Sequence, residues 1–152
     1  MLSITRLEAR AFSRATEVLD RVKTAILNLF PPNLRENIEL ELDRTTSYCD
    51  APIIILTATT NDEDVGEKTL HHILNQLPTD DKKELAYSLN QRINEKCDLF
   101  LRIDKQDVFL GNIRLAKKPD LVHVEVRFTM YPRCNRDTVI AHIMKQLNGN
   151  QE

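Results

Sequence analysis

Apolar and polar residues alternate over much of this chain, most clearly between residues 99 and 128. There Leu-Phe-Leu-Arg-Ile-Asp, Val-Phe-Leu-Gly-Asn-Ile-Arg-Leu and Leu-Val-His-Val-Glu-Val-Arg-Phe are separated by short polar turns. Period-two alternation of this kind predicts three consecutive antiparallel strands, a meander, with Gly111 at a bulge that keeps its apolar residues on one face. Val122, Val124, Val126, Phe128 and Met130 are expected to face the core, and His123, Glu125, Arg127, Thr129 and Tyr131 to face away. Upstream, residues 4–13 alternate as a first strand, followed by a helix over residues 14–30 that Pro31-Pro32 stops. Ile38, Leu40 and Leu42 alternate with Glu39, Glu41 and Asp43 in a second strand, and residues 53–59 read as a third, after a turn at 49–52.

Helical spacing then takes over. Asn61 or Asp62 caps a helix whose buried stripe is Leu70, Ile73, Leu74 and Leu77, with carboxylates in its first turn. Pro78 restarts the chain into another helix carried by Leu85, Ala86, Leu89 and Ile93. After the meander, Asn135 caps a last helix containing Val139, Ile140, Ile143, Met144 and Leu147, closed by Gly149. The expected order is β-α-β-β-α-α-β-β-β-α. That is an α+β fold, with one antiparallel or mixed sheet and helices on one face, in a single domain spanning residues 1–152.

At 152 residues the chain buries about 70% of its unfolded surface and needs no covalent staple. Cys49, Cys97 and Cys134 are odd in number and far apart, so free thiols in a reducing cytoplasm are expected. No membrane span and no secretion signal are expected. Glycine is confined to positions 66, 111 and 149. That argues against a phosphate-cradling nucleotide loop. His71, His72, His123 and His142 lack metal-ligand spacing, and Glu39, Glu41 and Asp43 fit the solvent face of a half-buried strand. Neither a cofactor, a metal nor catalysis is expected.

Net charge is −2, but its distribution is uneven. Residues 35–67 carry nine acidic and two basic side chains, and residues 96–136 carry nine basic and five acidic ones. Such asymmetry fits either a polarised surface or mutual pairing of acidic and basic strands. The candidate RNA contacts are Arg6, Arg10, Arg102, Arg114 and Arg127 on strand faces and Lys105, Lys117 and Lys118 in turns, with Phe12, Phe100 and Tyr131 among them as stacking partners. An alternative starts from the run Ile53–Leu56, which is apolar on both faces. Ile54 and Leu56 with Phe100 would form an outer patch for a protein partner, making the chain an assembly module or homodimer.

Several segments together resemble an archaeal family of small proteins described as RNA-binding proteins or predicted exosome subunits. They are Ile-Thr-Arg-Leu-Glu-Ala-Arg-Ala-Phe, Thr-Glu-Val-Leu-Asp-Arg-Val, Leu-Phe-Leu-Arg-Ile-Asp-Lys-Gln with Leu-Gly-Asn-Ile-Arg-Leu, and Val-Arg-Phe-Thr-Met-Tyr-Pro-Arg. Arg102, Asp104, Lys105 and Gln106 match its most distinctive motif. The resemblance implies a fold similar to the ribosomal protein that carries the smallest large-subunit ribosomal RNA, and RNA binding connected to RNA processing. Where the family has a glycine before its Ile-Leu run, this chain has Asp50-Ala51-Pro52.

Overall fold

The computed structural model describes residues 2–46 and 50–149. One antiparallel sheet is built from β1 (Leu2–Arg14), β2 (Leu40–Thr46), β3 (Pro52–Thr60), β4 (Asp98–Asp104) and β5 (Leu121–Met130), in the order β2-β3-β1-β5-β4. The helices are α1 (Leu19–Leu27), α2 (Glu63–Gln76), α3 (Thr79–Arg92), α4 (Lys105–Phe109) and α5 (Arg136–Asn148), with a 3-10 turn at Pro32–Asn37. The fold is therefore α+β. The element order follows the expected pattern with one local difference, in the middle of the meander.

Alternation explains the layering. Leu7, Ala9 and Ala11 of β1 and Val122, Val124, Val126 and Phe128 of β5 are buried against the helices. His123, Arg127 and Thr129 stay exposed on the outer face. A bulge between Ile4 and Arg6 keeps Ile4 inside and Arg6 outside. α1 and α2 lie on β1, α3 lies on β4, and α5 packs on α2 and α3. Gly66 allows the closest of these approaches, since a Cβ there would sit 2.9 Å from Ile4 Cγ2.

The middle run of the meander forms α4 instead of a strand. Asp104 caps it by accepting from the Asp107 amide at 2.9 Å, and Val108 supplies its buried apolar residue. Gly111, with φ +92°, ends the turn rather than bulging a strand. The chain then rejoins the sheet edge, where the Ala116 amide donates to the Arg102 carbonyl at 2.8 Å. Asp50, in the turn that leads into β3, has φ +59°, a left-handed conformation that Asp tolerates better than most residues.

Cys97 and Cys134 form a disulfide across 37 residues, with Cα atoms 5.9 Å apart. This corrects the expectation of free thiols, and it removes cysteine usage as an argument for a reducing compartment. The fold brings the start of β4 and the approach to α5 to bonding distance, which spacing along the chain could not reveal. Cys49 lies outside the described residues. Among the described residues no helix is long and apolar enough to cross a membrane.

Candidate nucleic-acid interface

Strand register arranges the outer face in rows. Arg10 of β1, His123 of β5 and Arg102 of β4 stand side by side. One row toward the N-terminus of β1 lie Glu8, Glu125 and Phe100, and beyond these Arg6, Arg127 and Asp98. On the other side of the cationic row come Phe12, Ile55 and Asp43. At its far end the row runs through Thr57 to Glu41 on the β2 edge.

The expected contacts fall into different situations. Arg6 is ion-paired with Glu8, and Arg127 Nε lies 3.4 Å from Asp98 Oδ1. Arg114 turns away from the row, with its Nε 3.7 Å from buried Asp81. Lys105 corrects an expectation outright, since it is a buried residue, 3% exposed, rather than a turn cation in solvent. Its Nζ donates to the Phe12 carbonyl at 2.9 Å and lies 2.8 Å from Glu17 Oε2 and 2.7 Å from Asp120 Oδ1. A buried ammonium needs such compensation, and a cation so occupied does not reach an external phosphate. Lys117 and Lys118 are exposed.

Arg10 and Arg102 keep their guanidiniums more available. Arg10 Nε is 3.9 Å from Glu8 Oε1, and among the described residues Arg102 enters no ion pair. Arg92, at the end of α3, joins them. Its Nε donates to Ser88 Oγ at 2.7 Å, and its charge is opposed by burial and by Arg102, while Glu84 favours it. His123 is held below the ordinary imidazole value of 6.5, by burial first and then by Arg102 and Arg10. Three guanidiniums and an imidazole thus stand together, bordered by Glu8 and Glu125, and an anion seated among them would be attracted by the guanidiniums.

Two adjoining concavities lie along this row. One of about 270 Å³ is lined by Arg10, Phe100, Arg102 and His123 together with the carboxylates Glu8 and Glu125, and one of about 330 Å³ by Gln91, Arg92, Phe100, Arg102 and Ala116. Phe100, 43% exposed, is shared by both. Lys117 and Lys118 follow directly on Ala116. Arg92 was not among the expected contacts, and only the packing of α3 beside β4 brings it to the groove.

The expected apolar patch is not formed on this face. Leu56 is fully buried toward the helices, opposite Ala11, and Ile54 points the same way and packs on the core. Ile53 and Ile55 occupy the outer side, so Phe100 stands apart from Ile54 and Leu56. Period-two geometry makes this unavoidable, because Ile54 and Leu56 share a face with Ala58, which is buried. Among the described residues no cluster of His, Cys, Asp or Glu is placed to hold a metal ion.

The model of a protein family described as RNA binding matches residues 6–128. The chain is 26% identical to RNA-binding protein PAB1135 of Pyrococcus abyssi over 149 residues, covering 97% of this chain and 96% of that one. It is also 26% identical to an uncharacterised protein, MJ0213, of Methanocaldococcus jannaschii, covering 93% and 95%. In fold it is similar to the crystal structure of AF2318 from Archaeoglobus fulgidus, a DUF54 protein, with TM-score 0.79, 26% identity and coverage of 94% and 99%. The DUF54 protein Mth689 from Methanothermobacter thermautotrophicus shares the fold with TM-score 0.76, at 21% identity and 95% and 98% coverage.

Proposed function

The chain belongs to the RNA-binding family whose model spans residues 6–128, and on that premise we propose that it is a non-catalytic RNA-binding protein acting through its outer sheet face. The observation that carries this reading is the row Arg10–His123–Arg102, continued by Arg92, in which Arg102 enters no ion pair among the described residues and Glu8 and Glu125 stand in the neighbouring row. Arginine presents planar donors suited to phosphate oxygens and stays protonated. We read its role as RNA processing, in or beside the exosome, which is what the sequence resemblance implies. We expect the binding to persist in a chelator such as EDTA, without a metal or cofactor.

The test is a fluorescence-anisotropy titration of a labelled mixed-sequence RNA at several salt concentrations. Affinity should fall linearly on a log–log plot, because phosphate contacts release counterions. Replacing Arg10 and Arg102 together by Ala should weaken binding and lower the slope by about 1.4, at ~0.7 per single-strand phosphate contact. The melting temperature should stay near that of the parent, since both side chains lie on the exposed face. A parent that binds no RNA at low salt, or a double variant that binds like the parent, overturns the reading.

A further inference from the structure

We propose that the groove takes single-stranded RNA and rejects duplex, with one unpaired base stacked on Phe100 and the phosphates beside it held by Arg10, Arg102 and Arg92. This rests on the RNA-binding reading and adds the class of RNA to it.

Width is the first argument. From Arg10 across His123 to Arg102 is two inter-strand steps, about 10 Å, and Arg92 extends the stripe over the β4 edge. Measured along the strands, the stripe is only one row deep. About 7 Å to one side stand Glu8 and Glu125, and about 7 Å to the other stand Phe12, Ile55 and Asp43. One phosphodiester strand can follow such a stripe. A duplex presents two, and the second would lie over carboxylates or apolar side chains.

The aromatic is the second argument. Phe100 is exposed where the two concavities meet, next to Arg102 and flanked by Arg92. An exposed ring beside Arg102 and Arg92, with Glu125 as its cross-strand neighbour, can offer its face to a base only if that base is unstacked, as in single strands and loops. Paired bases in an A-form helix keep their faces covered. The groove also has an open course, since Lys117 and Lys118 are exposed immediately after Ala116, which lines its α3 end.

The experiment compares a labelled ten-nucleotide oligo-uridylate with a blunt-ended, fully paired RNA duplex, on the parent, Phe100→Leu and Arg102→Ala. The parent should bind the single strand at least tenfold more tightly. Phe100→Leu should lose roughly tenfold on the single strand, in keeping with the usual worth of one base–aromatic stack, and keep its salt slope. Arg102→Ala should lose affinity and slope together. A duplex bound as tightly as the single strand, or a Phe100→Leu protein that binds like the parent, overturns the single-strand assignment while leaving RNA binding intact. A parent that binds neither probe at low salt overturns both.

Discussion

Lys105→Met separates a structural lysine from a nucleic-acid contact within the chain's most distinctive motif. In the parent, Lys105 Nζ is held by the Phe12 carbonyl, Glu17 and Asp120, which joins the end of β1, the approach to α1, the β4–α4 junction and the entry to β5. Methionine fills the same volume but leaves a carbonyl without its donor and two carboxylates without their counter-ion. Breaking a fully buried pair costs about 3–5 kcal/mol. The side chains of Glu17 and Asp120 remain 22% and 37% exposed and recover part of their hydration, so we expect about 2–4 kcal/mol. At this chain length each kcal/mol moves the midpoint by about 2–4 °C, which gives a fall of roughly 5–15 °C in a calorimetric or circular-dichroism melt. RNA affinity measured well below the lowered midpoint should stay within about twofold of the parent. A melt within about a degree of the parent, accompanied by lost RNA binding, would place Lys105 in the interface and refute the burial argument.

Phe128→Ala empties a core site 2% exposed, where the ring meets His142 edge-on with centroids 6.2 Å apart; urea unfolding should show a loss of about 3–5 kcal/mol. Gly66→Ala brings a methyl against Ile4, which is fully buried and cannot yield freely. Overpacking of about 1–3 kcal/mol outweighs the ~1 kcal/mol gained in helix propensity, so the melt should drop, and an unchanged or higher midpoint would show that α2 can shift. His123 has its folded pKa lowered below the ordinary 6.5 by burial, Arg102 and Arg10, with Glu8 and Glu125 in the neighbouring row. Its stability contribution is complete above pH 6.5 and is lost as pH falls below that value toward the lowered one; His72 acts with the same sign. Phosphate beside His123 favours the protonated ring, so RNA affinity should rise over the same fall in pH. His123→Gln should flatten that rise in an anisotropy titration, and an unflattened profile would remove His123 from the site.

The elements that local pattern controls could be read from the chain. Val122, Val124, Val126 and Phe128 are buried and His123, Arg127 and Thr129 exposed, because a strand with one buried face tolerates no one-residue slip. Asp62 and Asn135 cap α2 and α5, since an Asx side chain meets amides two or three residues on. Other features depend on residues distant in sequence. Five residues from Lys105 to Phe109 are too few to distinguish strand from helix by period, and the Asp104 cap with the buried Val108 decided for a helix. Lys105 looks like any turn cation until folding brings Glu17, 88 residues away, to its ammonium. Cys97 and Cys134 become bonding partners only when β4 and the approach to α5 meet. The cationic row is likewise a product of strand order. Arg10, His123 and Arg102 are neighbours because β5 lies between β1 and β4, and Arg92 joins them because α3 packs beside β4. Side-chain period is a property of the backbone at each residue, whereas which charges end up facing one another depends on how the whole sheet closes over its core.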